Sequence, residues 1–401
     1  MSPLYLDYNA STPLDPRVQV KMAPYLGHEF GNPNSNHVMG WTAKKAIDHA
    51  RSQVAKLIGC QNQDVIFTSG ATEATSLALM GVFYDQILNQ KKVNPHFITT
   101  DVEHACVLET FKFMEKLGAE ISVLPTKPYG QLSSQQLKSA LRPSTVLVSA
   151  IWVNNEIGTI NHINELSEVT RNAEVLFHTD ATQGAGKIPF QFSASNVDLL
   201  SLSGHKLYGP KGVGALIRRY SQPGVKLVSM ISGGGQEQGL RSGTQNVAGI
   251  VGLGEACEIC KSSMDQDLKN VGMLGQILLD GLKNIFPDLI LNGHPQDRSA
   301  YNFNLTLPSL NLDLVANSLL KICYSRGSAC HSNDPARRDV LTNLGVSENL
   351  ASRSLRLSIG RMSTQDEIRQ VIEIFKKLAI DKNSSESLKL FSPGTGSSSH
   401  S

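Results

Sequence analysis

A mostly parallel β-sheet covered by helices, with a smaller α+β domain after it, is the α/β architecture this sequence predicts. Three observations carry the prediction. Short β-branched and aromatic runs alternate with helical stretches from Val65 to Ile217. Those runs are apolar at nearly every position, the pattern of strands buried on both faces. Near residue 260 the alternation gives way to a long helix and then a mixed texture, which suggests a second unit.

Taken in order, a short extended start leads into a helix over residues 36–58, where Ala43, Ile47, Ala50, Val54 and Leu57 recur at three- and four-residue intervals and Gly59 supplies the stop. Strand and helix then take turns: Val65 to Thr68 strand, Ala71 to Phe83 helix, Phe97 to Thr100 strand, Val107 to Leu117 helix, Ile121 to Leu124 strand. Val146 to Val153, Val175 to Thr179, Leu199 to Ser203 and Val213 to Ile217 continue the sheet. A helix from Asp267 to Phe286 follows, then strands near Leu289 to Leu291 and Tyr301 to Leu307, then further helices. The expected organisation is a large α/β domain over 15–260, a small α+β domain made of 1–14 and 261–385, and a disordered Ser- and Gly-rich tail over 386–401, which has little to bury.

The chain has 401 residues, 40% of them hydrophobic and 18% charged, with a net charge of +2. That balance gives no basic surplus for nucleic acid and favours small-molecule chemistry. No apolar run approaches the roughly 18 residues of a membrane span, and the N-terminal residues show no signal or transit pattern, so a cytoplasmic protein is expected. Six cysteines without regular spacing read as reduced thiols.

In a parallel sheet, ligands sit beyond the carboxyl ends of the strands, so the loops there carry the chemistry. Gly70, Ala71 and Thr72 follow a strand and open a helix, where free backbone N–H groups make a phosphate seat; the same residues also read as an ordinary helix N-cap. His104 begins the next helix, either as a cap or as a ring that stacks on a flat cofactor and moves protons. Asp180 ends a buried strand, where a carboxylate needs a cation such as a protonated ring nitrogen, or else serves as a cap or structural ion pair. Lys206 ends another apolar strand beside Ser203, Gly204 and His205; a half-buried lysine there loses its proton and becomes an imine-forming nucleophile, whereas a snorkelling lysine does not. A phosphate seat, a stacking imidazole, an acid and a nucleophilic lysine are together what pyridoxal phosphate requires of a protein. Cys330, in a small-residue segment between Arg326 and His331, has neighbours that favour a thiolate. Cys257 and Cys260 have redox or zinc spacing but sit in an apolar helical stretch and read as core; Cys60, Cys106 and Cys323 also read as structural, and no metal site is expected.

With these residues in place, the chain resembles the class V aminotransferase-like cysteine desulfurases and selenocysteine lyases from Leu4 to about Leu378. The motifs are LDYNASTPL (6–14), FGNPNS (30–35), TSGATE (68–73), EHACV (103–107), VNNEIG (153–158), HTDATQ (178–183), SLSGHKLYGPKGVG (201–214), GGGQEQGLRSGTQN (233–246), SRGSACHS (325–332) and SLRLSIGR (354–361). The resemblance implies pyridoxal phosphate-dependent fold type I. It also implies that Lys206 links to the cofactor, Asp180 pairs with its ring nitrogen, Gln183 bonds its phenolic oxygen and His104 stacks on its ring. Ala71, Thr72, Ser203 and His205 would hold the phosphate, and Thr244 would reach the phosphate of the other subunit of a homodimer. Asn155 and Arg356 would grip the substrate carboxylate, and Cys330 would carry the persulfide, with His104 and Lys206 handling protons. The implied reaction converts L-cysteine to L-alanine and passes sulfur to an acceptor protein for iron–sulfur or thio-cofactor synthesis. The alternatives are a selenocysteine lyase, releasing selenide from L-selenocysteine, and a scaffold without catalysis.

Overall fold

The structure, a computed structural model, describes residues 3–221, 224–326 and 340–390. In chain order the first elements are β1 (Leu4–Tyr5), α1 (Pro16–Leu26), α2 (Val38–Ile58), β2 (Val65–Thr68), α3 (Ala71–Tyr84), β3 (His96–Thr100), α4 (Ala105–Lys116), β4 (Glu120–Leu124), α5 (Ser134–Ala140), β5 (Thr145–Ser149), α6 (Ile163–Asn172), β6 (Leu176–Asp180), β7 (Leu199–Ser203) and β8 (Gly214–Arg218). Strands β2 to β8 make a seven-stranded sheet in the order β2-β8-β7-β6-β5-β3-β4. Only β8 runs antiparallel to its neighbours, so the carboxyl ends of the other strands all open on one edge.

Both faces of this sheet are covered, which explains the continuous apolar runs. Successive residues of one strand enter opposite cores: Val65 and Phe67 join one, Ile66 the other, and Ile98 and Phe97 divide in the same way. The edge strand β4 alternates half-buried with exposed residues because one side lacks a neighbour. Gly59 closes α2 in the left-handed conformation at φ 72°, where a side chain would be strained.

The remaining elements are α7 (Val247–Ile285), β9 (Ile290–Leu291), β10 (Asn302–Thr306), β11 (Ile322–Cys323), β12 (Ser325–Arg326), α8 (Val340–Asn343), α9 (Glu348–Ala351), β13 (Ser354–Ser358) and α10 (Gln365–Leu390). A four-stranded sheet, β12-β13-β10-β9, packs on the second half of α7 and on α10 through Val271, Leu274, Leu278, Phe303, Leu355, Leu357 and Phe375. β1 pairs with β11, and Asp7 bridges to Ser358, so the N-terminal segment is tied to this second sheet.

Three differences from the sequence reading have physical causes. The helix expected from Asp267 begins at Val247 and crosses residue 260 unbroken, its first half in the core of the large sheet. Gly249, Gly252 and Gly254 disguise it, yet a Cβ at Gly254 would lie 2.6 Å from Ala50 Cα, so the glycine lets α7 and α2 approach closely. Second, α10 continues to Leu390, past residue 386 where the tail is expected, and Glu386, Leu388, Lys389 and Leu390 are good helix formers. Third, α1, α5 and α6 are short helices whose apolar repeats are too brief to show in sequence. Among the described residues no helix is long and apolar enough to cross a membrane.

Candidate active site

The carboxyl edge of the large sheet opens on a cavity of 590 Å³, a size suited to a cofactor with a small substrate. Ala71, Thr72, His104, Asn155, Asp180, Gln183, Ser203, His205, Lys206 and Arg356 all line it. Thr244 does not: it is exposed and is not among the residues lining the cavity of its own chain. Cys330 lies outside the described residues, but β12 brings the chain to Arg326 beside the site, where Ser325 hydroxyl accepts from Arg356 at 2.9 Å.

Each loop is built for its position. Gly70 precedes α3, a 14-residue helix whose first N–H groups have no intrahelical acceptor and face the cavity at Ala71 and Thr72. His104 is both things its sequence allowed: its Nδ1 caps α4 by accepting from Cys106 N–H at 3.2 Å, and its ring lines the cavity. Asp180 holds the turn after β6, accepting from Thr182 N–H at 2.9 Å, while remaining 3% exposed on the cavity wall. Between these loops Glu103 accepts from Thr100 hydroxyl (2.6 Å) and Ile151 N–H (2.8 Å), joining the ends of β3 and β5; its burial raises its pKa to about 8.

Lys206 Nζ donates to the backbone carbonyls of Asn9 and Ala10, the latter at 2.7 Å. Burial, and then the Arg356 charge, lower its pKa from 10.5 to about 8, against the pull of Asp180, Asp7 and Glu156. A substantial neutral fraction is therefore present near neutral pH. His205 is lowered to about 4 by burial and by Lys206 and Lys211, so its imidazole is neutral, with Nδ1 3.2 Å from Ser11 hydroxyl. Gln183 Nε2 donates to Asn9 carbonyl at 2.9 Å.

Arg356, on β13, is 4% exposed. It donates to Asp7 (2.9 Å), to Glu156 (2.8 Å) and to Asn155 carbonyl (3.0 Å), and its buried Nε has no hydrogen-bond partner among the described residues. The Asn155 side chain donates to Glu156 at 3.0 Å, so amide and guanidinium share one carboxylate.

Four contributors escaped the sequence reading. Asn9 acts through its main-chain carbonyl, which no side-chain pattern reveals. Asp7 and Glu156 sit inside quoted motifs, but only the fold brings them to Arg356. Cys106, expected as structural packing, lines the cavity, and burial with the nearby Asp180 charge pushes its thiol up to about 12. Cys257 and Cys260 are buried in the core, as expected.

The donor set suits pyridoxal phosphate. The lining combines open N–H groups and two neutral polar side chains, Ser203 and His205, with a carboxylate, an amide and a lysine amine. Among the described residues the buried Thr182 hydroxyl on the cavity wall and Arg356 Nε both lack a partner, which a polar ligand would supply. Among the described residues, His104, Cys106 and Asp180 also place one donor atom each within 4.8 Å of one another, a spacing open to a metal ion, though the lysine, amide and phosphate-seat groups fit the organic cofactor and not a metal.

Comparison with known proteins agrees with this geometry. The aminotransferase class-V family matches residues 4–371. Cysteine desulfurase IscS of Rickettsia felis is 43% identical over 375 residues, covering 93% of this chain and 90% of that protein. A solved NifS-like protein superposes with a TM-score of 0.86 at 33% identity, covering 94% of this chain and 100% of that one. A structure of SspA in complex with cysteine gives a TM-score of 0.80 at 35% identity, covering 90% and 99%.

Proposed function

The chain belongs to the aminotransferase class-V family, and we propose that it is a pyridoxal phosphate-dependent cysteine desulfurase, converting L-cysteine to L-alanine and leaving the sulfur as a persulfide on Cys330. The observation that carries this reading is the convergence of Lys206, Asp180, Gln183, His104 and Arg356 on one cavity.

Bound there, the cofactor would supply an electron-accepting ring for the electrons left when the substrate loses its α-proton. Asp180 would hold the ring nitrogen protonated, Gln183 would donate to the phenolic oxygen, and the α3 N-terminus with Ser203 and His205 would hold the phosphate. The lowered proton affinity of Lys206 makes its amine competent both to join the cofactor and to carry a proton between substrate carbons. Arg356 and Asn155 would orient the substrate carboxylate, a guanidinium fork being suited to that group. Cys330, as thiolate, attacks the substrate sulfur; the substrate C–S bond breaks, the S–S bond of the persulfide forms, and a proton returned to the substrate carbon completes alanine.

The reading includes a homodimer, supported by the exposure of Thr244 and by the exposed Leu26, Phe30, Val38 and Trp41, which run from the end of α1 to the start of α2. It includes a separate acceptor protein for the sulfur, and a reducing cytoplasmic setting that suits the free cysteines of the described residues. The organisation into a large cofactor-binding unit and a small unit presenting the Cys330 segment belongs to the same proposal.

The test is alanine formation by the purified protein with L-cysteine and L-selenocysteine side by side, each against Cys330→Ala. Turnover of cysteine that the substitution abolishes is the expected result. Turnover of selenocysteine alone assigns a lyase instead, and inactivity on both, with no visible cofactor band, leaves only a scaffold.

A further inference from the structure

Lys187 is a buried cation that the chemistry above does not use. It is 6% exposed and forms no salt bridge among the described residues. Its ammonium donates to Gln183 Oε1 at 2.8 Å and lies 5.5 Å from the centroid of the Tyr301 ring. The charged and titratable groups around it are Lys206 beyond β7, Cys260 on α7 and Tyr301 before β10. None of these is a carboxylate, so the lysine's principal polar partner is the glutamine amide.

That contact and the Asn9 carbonyl, which accepts from Gln183 Nε2 at 2.9 Å, together fix which way the amide points. A glutamine offers an oxygen that accepts and a nitrogen that donates, whereas an ammonium only donates. Lys187 therefore selects Oε1 and turns Nε2 to the opposite side, where it donates to Asn9 carbonyl, the group that also accepts from Lys206. A flipped amide would set its oxygen against both that carbonyl and any anionic oxygen in the cavity. It would also turn the –NH2 group toward the ammonium.

We propose that Lys187 is a positioning residue that locks Gln183 with its N–H end toward the cofactor pocket and thereby lowers the proton affinity of the nitrogen that Lys206 brings to the cofactor. The inference rests on the cofactor reading above. An N–H donor on the phenolic oxygen draws off negative charge that would otherwise hold a proton on the neighbouring nitrogen; an acceptor in its place does the reverse. Burial, reinforced by Lys206, brings Lys187 down to about 7, so the lock weakens as pH rises and the amine gains a lone pair that accepts.

The test is a pH titration of the visible absorbance of the full-length, cofactor-loaded enzyme. Lys187→Met should move the midpoint up by about one pH unit, tenfold in proton affinity. Lys187→Arg, another pure donor, should hold it within about a factor of two. In a Gln183→Met background Lys187→Met should add nothing, because the lysine acts through the amide and not through its charge alone. If the methionine protein does not fold, Lys187→Gln, whose amide can present either end, should move the midpoint the same way by less. An unmoved midpoint in either variant, or a shift that survives undiminished in the Gln183→Met background, overturns the proposal. A wild-type protein without a visible band overturns the cofactor reading on which it rests, and is distinguishable from both.

Discussion

The two walls of the cavity hold charge in opposite ways. On the side of the seven-stranded sheet, helix N–H groups, a neutral imidazole, an amide and a lysine with depressed proton affinity line the cavity, and its charged side chains, Asp180, Glu73 and Lys211, are spread along the wall. On the side of the four-stranded sheet, charge is concentrated, with Arg356 tied to Asp7 and Glu156 at 2.9 and 2.8 Å. The first wall is set to receive an anion without moving any group. The second already sets two carboxylates on one guanidinium, so an incoming carboxylate must replace existing partners, which suits a substrate that has to leave as product.

Four experiments would break or sharpen that contrast. The largest effect is expected at Lys206: Lys206→Ala should lower kcat by about a thousandfold or more, the range for losing a nucleophile and proton carrier, and should abolish the visible band. Retained turnover would remove the chemistry from the first wall. Arg356→Lys should raise KM for cysteine about 10- to 100-fold, equivalent to roughly 1.5–3 kcal/mol of charged hydrogen bonding, while leaving the cofactor spectrum unchanged. A changed spectrum would show that the walls are not independent. Lysine is the substitution of choice because an uncharged residue would leave Asp7 and Glu156 buried together.

The pH dependence of cofactor uptake by the cofactor-free protein is the third. Only the neutral amine of Lys206 attacks an aldehyde, and its fraction grows as pH rises through about 8, so uptake should be about tenfold faster at pH 9 than at pH 7 and level off above. An ordinary lysine would keep accelerating past pH 10, and stopped-flow absorbance separates the two. The smallest effect belongs to Thr244→Ala, which should weaken cofactor binding about fivefold, one hydrogen bond's worth, and only in the dimer. An equal loss in a monomeric variant would remove the partner subunit from the site.

Much of the site was legible because its groups lie where a local rule places them. Gly70 to Thr72, His104, Asp180 and Lys206 each follow an apolar strand, and a parallel sheet collects such positions on one edge. The roles of His104 and Asp180 were ambiguous in sequence for a physical reason: a side chain at or just past the end of a strand can bond the backbone that follows it and line a cavity at once, as both do. The glycine-broken start of α7 was illegible because Gly254 lowers helix propensity for the sake of contact with Ala50, a residue about two hundred positions away.

By itself, then, the sequence determined the alternation of strands and helices, the buried parallel sheet and the loops whose polar groups line the cavity, since these follow from periodicity and side-chain chemistry within short windows. Only the tertiary structure decided that Asp7 and Glu156 meet at Arg356, that the main-chain carbonyl of Asn9 receives Lys206 and Gln183, that Cys106 faces the cavity, and that Lys187 stands behind Gln183. Those contacts join segments distant in the chain or act through the backbone, and hydrogen-bond direction, burial and local charge exist only once the chain has closed on itself.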